Sequence, residues 1–496
     1  MELNIFETKS IFEESKALIK QVYLEDERPW VVGYSGGKDS TVLTQLVFEA
    51  LTELTPAQRT KKVYVISSDT QVETPLIIEK ITKTLGRIQD AALKLGLPFE
   101  THKVRPQPEK TFWTSIIGKG YPSPRQKFRW CTDRLKIDPA NRFILEKVDH
   151  FGEVIMVLGV RDSESSTRAG VMQSHSIDGK VLMRHSTLTN AFVFAPIRTF
   201  DINDVWEYLL QYPSPWGDDN SDLLRLYQDS NSECPLVVDK DIKESAGSCG
   251  NSRFGCWTCT VVSEDKALSG FINSGVEWLR PLYDFRNYLY EIRNDFSSRQ
   301  KRRMNGDIYL TSNLEGIDID TCPRINKADV GAYITEHEID LSTVEDLNLI
   351  VVDDDGTLKR FGLGPFTLKA REAILRKLLQ TQQAVRQMHD PSIELITLEE
   401  LRIIRQYWEE DLQWEDRVPI IYGEETGEVI TWDQNERPMF HEDQLTDLDR
   451  LCREEKVPLH LLKQLVAIEK DYSGFKVRRG LMQEFDKAMR QDFLHL

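Results

Sequence analysis

The chain has 496 residues, 40% of them hydrophobic and 29% charged. That is globular composition, which excludes a disordered or fibrous protein, and the length suggests roughly two to four domains. With 63 Lys+Arg against 80 Asp+Glu the formal net charge is -17, which excludes a protein coated in basic surface but not one with a local basic groove.

The predicted elements run in chain order as follows. Residues 1–28 read as one amphipathic helix with Ile11, Phe12, Ala17, Leu18 and Val22 on one face. The apolar run Trp30 to Tyr34 is a short strand that ends in Ser35-Gly36-Gly37. Val42, Leu43, Leu46, Val47 and Leu51 then recur at helical spacing. Val63 to Ile66 is a second strand, closed by Ser67-Ser68-Asp69-Thr70, and a long helix is expected from about Leu76 to Leu95. Val154 to Leu158 is a further buried strand, and Asp204-Val205-Trp206 begins a helix. Strands that alternate with helices imply βαβ units and a parallel sheet. The Gly/Ser/Cys-rich stretch from Asn231 to Thr260 is the clearest loop region.

Charge is unevenly spread. His102 to Lys136 holds nine basic residues against two acidic ones, and Arg280 to Arg303 seven against three. Pro391 to Lys456 reverses the balance, with 19 acidic residues and seven basic. No stretch approaches the roughly 18 apolar residues that span a bilayer, and the N-terminus lacks the apolar core of a signal peptide. A cytoplasmic protein with no membrane partner is therefore expected.

Ser35-Gly36-Gly37-Lys38-Asp39-Ser40, between a strand and a helix, has the makings of a phosphate cradle. Two glycines let the backbone turn tightly so that N–H groups converge on a phosphate. The helix adds its positive end, and Lys38 neutralises charge. Asp39 makes sense there if it caps the helix or helps to hold Mg²⁺ between phosphates. The loop lacks the G-x-x-x-x-G-K-[ST] spacing of a Walker A motif. Asp69 follows the second strand, at the edge where open α/β sheets place ligands. Gly159, Arg161 and Arg168 follow the later one. Both arginines are suited to bidentate contacts with phosphate oxygens.

Seven cysteines are an odd count and no disulfide scaffold. Cys234, Cys249, Cys256 and Cys259 fall in one stretch, where four thiolates can close around Zn²⁺ or a [4Fe–4S] cluster. One tight C-x-x-C pair in a spread set fits a cluster better than zinc, with Cys322 the rival fourth ligand to Cys234. Cys131 stands apart in the first basic stretch, where Arg129, Arg134 and Lys136 should lower its pKa and let the thiolate carry or attack sulfur. Its bland reading, a small buried residue at the sheet edge, is nearly as good. Cys452 should be inert.

The hexapeptide resembles the PP-loop of ATP pyrophosphatases. Together with Ser68 to Pro75, Arg129 to Lys136, Gly159 to Arg168 and Pro196-Ile197, it is similar to the phosphoadenosine-phosphosulfate reductase branch of that superfamily, over about residues 20 to 215. The cysteine group and the run Gly362 to Ala373 extend the likeness to the DndC family, the sulfurtransferases of bacterial DNA phosphorothioation. The related SspD family shares this chemistry.

The resemblance implies an α/β fold of the PP-loop ATP pyrophosphatase (adenine nucleotide alpha hydrolase-like) type, a parallel sheet with helices on both faces. A cysteine-ligated cluster region and a mostly helical C-terminal extension would follow. The expected divisions are 1–28 (N-terminal helix), 29–215 (PP-loop domain), 216–330 (cluster and basic region) and 331–496 (acidic helical region). ATP would bind at Ser35, Gly36, Gly37, Lys38, Asp39, Ser40, Asp69, Gly159 and Arg161. Lys38, Asp39, Cys131, Arg161 and Arg168 would be catalytic, and Cys234, Cys249, Cys256 and Cys259 would ligate the cluster. A DNA phosphate would be adenylated and sulfur would replace a non-bridging oxygen. ATP, Mg²⁺ and a [4Fe–4S] cluster are the implied cofactors. DNA, a cysteine desulfurase and DndD- and DndE-like subunits are the implied partners. DNA would approach Lys127, Arg129, Arg134 and Lys136, and also Arg299, Lys301, Arg302 and Arg303. Competing readings are a sulfonucleotide reductase, a tRNA-thiolation enzyme, and a nucleotide-sensing subunit without catalysis.

Overall fold

The computed structural model describes residues 5–164, 181–229, 255–304, 308–315, 317–339, 341, 347–410, 415–432, 442–455, 457, 459–472, 478 and 480–490. The chain divides into two compact units, one of Met1–Gln107 with Arg125–Tyr283, the other of Pro108–Pro124 with Asp284–Leu496. The stretch 216–330 expected as one piece is thus shared between the two.

The first unit is built on a six-stranded sheet in the order β3-β2-β1-β4-β6-β5. Its strands are β1 (Trp30–Gly33), β2 (Val63–Ser68), β3 (Phe99–Val104), β4 (Val154–Val157), β5 (Met183–Arg184) and β6 (Ala191–Phe194). All neighbours pair in parallel except β5, which runs antiparallel to β6. Val31, Val32, Val63 and Val65 are fully buried, because both faces of the sheet carry helices. On one face Val31, Tyr64, Ile66 and Val154 pack with Ile144 of α5 (Asp138–Phe151). On the other, Trp30 meets Tyr23 of α1 (Ile5–Leu24), and Phe48 of α2 (Lys38–Thr52) meets Phe99.

α1 buries Phe12, Ile19, Val22 and Tyr23. Ala17, expected on that face, is exposed. Its Phe12 ring packs on Phe200 and on Tyr208 and Tyr212, which fixes the helix to α6 (Ile202–Gln211). α3 (Pro75–Leu95) starts with proline in its first turn and ends at Gly96 in the left-handed conformation, φ 62°. α4 (Trp130–Thr132) runs through a π-helical turn, Asp133–Ile137, into α5. α7 (Asn220–Asp229) and α8 (Lys266–Asn273) complete the unit before residue 283.

Strand order decides where a ligand sits. From β1 the chain moves outward to β2 and β3, then crosses back to β4 on the other side of β1. The loops that leave the carboxyl ends of β1 and β4 therefore diverge, and open a crevice at the switch point.

The second unit contains a four-stranded sheet of order β7-β10-β9-β8, from Leu310–Thr311, Arg324–Asn326, Ile350–Val352 and Leu358–Phe361 in chain order. Ile308, Val330, Ile334, Leu349, Val351 and Phe361 form its core. Long helices follow, among them Leu368–Met388, Leu398–Glu410 and Arg417–Thr426. The segment 108–124 belongs here because its apolar side chains are used here. Phe112, Trp113, Ile116 and Ile117 are buried, Trp113 Nε1 donates to the Leu395 carbonyl at 2.6 Å, and Trp408 Nε1 donates to that of Ile117 at 2.7 Å. Among the described residues no helix is long and apolar enough to cross a membrane.

Candidate active site

The turn after β1 is shaped by two glycines with different duties. Gly36 has φ 73°, and a Cβ on it would lie 2.7 Å from the Ile81 side chain. Gly37 is the N-cap of α2 and has no side chain to give the helix, so the first amides of α2 depend on groups from elsewhere. The Ser40 hydroxyl binds back into the turn, donating to the Gly37 carbonyl at 3.0 Å and accepting from the Ser35 amide at 3.2 Å.

Lys38 and Asp39 lie in the first turn of α2. Asp39 does not cap the helix, contrary to one of the two roles its position suggested. Its carboxylate accepts from Arg161 Nε and lies 3.3 Å from Lys38 Nζ. Arg161 and Lys38 are only 5% and 7% exposed, so both cations stand beside Asp39 in a nearly closed site. Two cations held together in this way suit a polyanion. Arg161 Nη1 also donates to Ser163 Oγ at 3.0 Å, which sets the guanidinium plane. Gly159 is what lets the β4 loop come this close, since a Cβ there would lie 2.8 Å from the Asp39 carbonyl oxygen. Asp69, 5% exposed, accepts from Arg105 Nε at 2.8 Å and from the Gln71 amide at 3.1 Å. Gln71 takes φ 62°. Arg168 lies outside the described residues.

The turn after β2 also receives the thiols. Cys256 forms an antiparallel bridge with Glu73, the Trp257 amide donates to the Val72 carbonyl at 3.0 Å, and Thr70 Oγ1 lies 3.3 Å from Cys256 Sγ. Lys136 Nζ is 3.7 Å from Glu73. Cys131, which the sequence seemed to set apart, belongs with this group, because its ionisation is opposed by Cys259 and both Cys131 and Cys256 act on Lys136. Its pKa moves up, not down as the basic neighbours suggested, since burial outweighs the pull of Lys136. Burial likewise pushes the Cys256 thiol up to about 12 and raises the Glu73 carboxyl. The thiols raise the pKa of Lys136 in return, Cys256 most of all. Cys234 and Cys249 lie outside the described residues. Cys322 lies in the second unit, and Cys452 is buried there.

Residues 29–262 match the family model of the phosphoadenosine phosphosulfate reductase domain. This segment has a mostly parallel α/β fold of the phosphoadenosine phosphosulfate reductase-like, PP-loop type. Over 199 residues the chain is 28% identical to an uncharacterized protein of Methanocaldococcus jannaschii, an alignment that covers 40% of this chain and 35% of that relative. The chain thus spans about a third of the length of that curated relative. Solved structures that resemble it include the phosphoadenylyl-sulfate reductase of Candida auris, at 13% identity and a TM-score of 0.27 over 42% of this chain and 88% of that one. They also include the FMN adenylyltransferase of Candida glabrata with FMN and an ATP analogue, at 17% identity and 0.26 over 42% and 58%. A third is the U34-tRNA thiolase of Methanococcus maripaludis with its [4Fe–4S] cluster, at 13% identity and 0.27 over 49% and 76%.

Within the PP-loop domain the basic residues sort by exposure. Lys127, Arg129 and Lys136 are exposed and Arg134 is half-buried, and Lys136 also pairs with Glu73 beside the thiols. Among the described residues Arg125, Lys127 and Arg129 form no ion pair. In the second basic run Arg299 and Lys301 are buried in the second unit and donate to backbone carbonyls, while Arg303 is exposed. Sequence reasoning missed Tyr227, Glu73 and Arg105. Glu73 and Arg105 flank the turn after β2 and were within reach of local inspection. Tyr227 comes from α7, 189 residues from the amide it meets, and no local signal pointed to it.

Proposed function

We propose that the chain is an ATP pyrophosphatase and sulfurtransferase that modifies a DNA backbone phosphate. The observation that carries this reading is that one sheet edge holds both halves of the chemistry. The phosphate loop leaves β1, and the thiols dock on the turn that leaves the adjacent β2. ATP would lie with its β,γ-phosphates on residues 35–40, with Gly159 and Arg161 closing the site from β4. Lys38 and Arg161 stabilise charge as pyrophosphate departs.

A non-bridging oxygen of the DNA phosphate attacks the α-phosphorus, the bond to pyrophosphate breaks, and AMP is joined to the DNA phosphate. That turns a poor leaving oxygen into a good one. A cysteine desulfurase delivers its sulfur as a persulfide; a dithiol reductant releases it at the oxidation level of sulfide and is itself oxidised to the disulfide, and the sulfide then attacks the DNA phosphorus as AMP leaves with the oxygen. DndD- and DndE-like subunits would complete the modification complex.

The donors near the turn after β2 are soft thiols, the chemistry that an iron–sulfur cluster takes. Among the described residues no three His, Cys, Asp or Glu side chains are grouped to hold a metal ion, so a cluster would need thiols from outside them. Cys131, Cys256 and Cys259 would hold it, with Cys234 or Cys249 supplying the rest of the set. Bound there, a [4Fe–4S] cluster supplies an iron site that can take up sulfur or electrons. Mg²⁺ fits as an ion brought by the nucleotide, with Asp39 the nearest carboxylate to the loop.

The test is to incubate protein, ATP, DNA, cysteine, a cysteine desulfurase and a dithiol reductant, then digest the DNA and search for phosphorothioate-linked dinucleotides by mass spectrometry. Their appearance, with AMP and pyrophosphate, is expected. Sulfur that enters only tRNA bases, or AMP-free reduction of a sulfonucleotide, would replace this reading with one of its competitors.

A further inference from the structure

The first amides of α2 lack a cap from their own turn, yet one of them is met from a distant helix. The Lys38 amide donates to the Tyr227 hydroxyl at 3.2 Å, and the Tyr227 ring lies under Lys38 Nζ at 5.2 Å from its centroid. The same hydroxyl fits the bare face of Gly37, where a Cβ would stand 3.3 Å from it. The placement is built in. Asn220, which opens α7, is buried and exchanges side-chain hydrogen bonds with Gln45 of α2, at 2.9 Å and 3.4 Å, and donates to the Tyr212 carbonyl at 3.0 Å. Trp206 packs edge-on against the Tyr227 ring at 5.2 Å.

We propose that Tyr227 is a phosphate-binding residue of this site, whose hydroxyl accepts the Lys38 amide proton and donates its own proton to a phosphate oxygen of the nucleotide. A tyrosine hydroxyl is both donor and acceptor. Its oxygen stands 3.2 Å from the Lys38 amide at the end of the phosphate loop, within reach of an anion gathered there, and an oxygen that accepts the amide proton can still donate its own. The ring holds the Lys38 ammonium over its face and limits where that charge can go. The cradle then has four sources: the β1 turn, the α2 terminus, the β4 loop and α7. This rests on the nucleotide reading above, and it adds a contact that the motif alone does not contain.

The test uses inorganic pyrophosphate as the probe, titrated calorimetrically into the full chain without acceptor or sulfur donor. Tyr227→Phe keeps the ring and removes only the hydroxyl. It is expected to bind pyrophosphate about tenfold or more weakly, the loss typical of one hydrogen bond to a charged group, while its circular dichroism spectrum stays that of the folded wild type. Tyr227→Phe that binds as well as the wild type, or better, overturns the proposal and makes the hydroxyl a stopper that the phosphate must displace. Lys38→Ala, run in parallel, separates the two claims. If it loses binding while Tyr227→Phe keeps it, the phosphate loop stands and the role of Tyr227 falls. Wild-type protein that binds no pyrophosphate removes both.

Discussion

Two basic runs look alike in the sequence, yet the cations at the heart of each behave as opposites in the fold. In the first, Arg125, Lys127 and Arg129 are exposed, and Arg105 and Lys136 are tied to Asp69 and Glu73 at the site. In the second, Arg286, Arg299 and Lys301 are almost wholly buried. Arg299 reaches the carbonyls of Arg293, Leu363 and Gly364, and Lys301 those of Phe296 and Arg299. A charge run therefore says little about partners until its counter-charges are known. Where carbonyls of the same unit converge on a guanidinium, it is a structural clamp. Where the side chains stand in water, they are available to a polyanion.

This contrast can be broken by experiment. Arg299→Ala strips a buried donor from several carbonyls and should cost about 3 kcal/mol of stability or more. Arg129→Ala should stay within about 0.5 kcal/mol. Urea denaturation followed by circular dichroism checks both, and equal losses would abolish the distinction. At the site, Lys38→Ala should lower the rate of pyrophosphate release about a hundredfold or more with little loss of stability. Gly159→Ala would drive a methyl into the Asp39 carbonyl, at a cost of about 1–3 kcal/mol in stability, and should weaken nucleotide binding too. For DNA binding, Lys127→Ala and Arg129→Ala should each reduce the slope of log affinity against log salt by about 0.9 on duplex DNA, read by fluorescence anisotropy.

The smallest effect concerns pH. The Cys256 thiol is pushed up to about 12 by burial, so in metal-free protein the folded state favours the thiol over the thiolate. The raised value contributes stability that is whole below the unfolded thiol pKa and is lost as pH rises from there through about 12. Iodoacetamide should therefore label Cys256 more slowly at pH 8 than a free thiol peptide. Labelling as fast as the peptide would show that the thiol is not buried as described.

The central sheet and its phosphate loop were legible because the signals are local: Gly-Gly-Lys between an apolar strand and an amphipathic helix. β3 was not read as a strand, since Phe99–Val104 mixes charged residues into an edge position. The second unit's sheet was invisible for another reason. Its strands are two to four residues long, too short for a period of two to register. Residues 108–124 join that unit through tryptophan contacts across nearly 300 residues, which no window can contain. The same holds for the site. Cys131 shares the field of Lys136 with Cys256 and Cys259 only through the fold, and local charge gave its pKa the wrong sign because it carried no information on burial.

The central claim is that the loop at the end of β1 splits ATP between its α- and β-phosphates. The direct measurement is to follow radiolabelled ATP with the full chain, DNA, a cysteine desulfurase, cysteine and a dithiol, and to separate the products by chromatography. AMP and pyrophosphate in equal amounts, abolished by Lys38→Ala, are the predicted result. Release of ADP and phosphate, or no turnover of ATP at all, would contradict it.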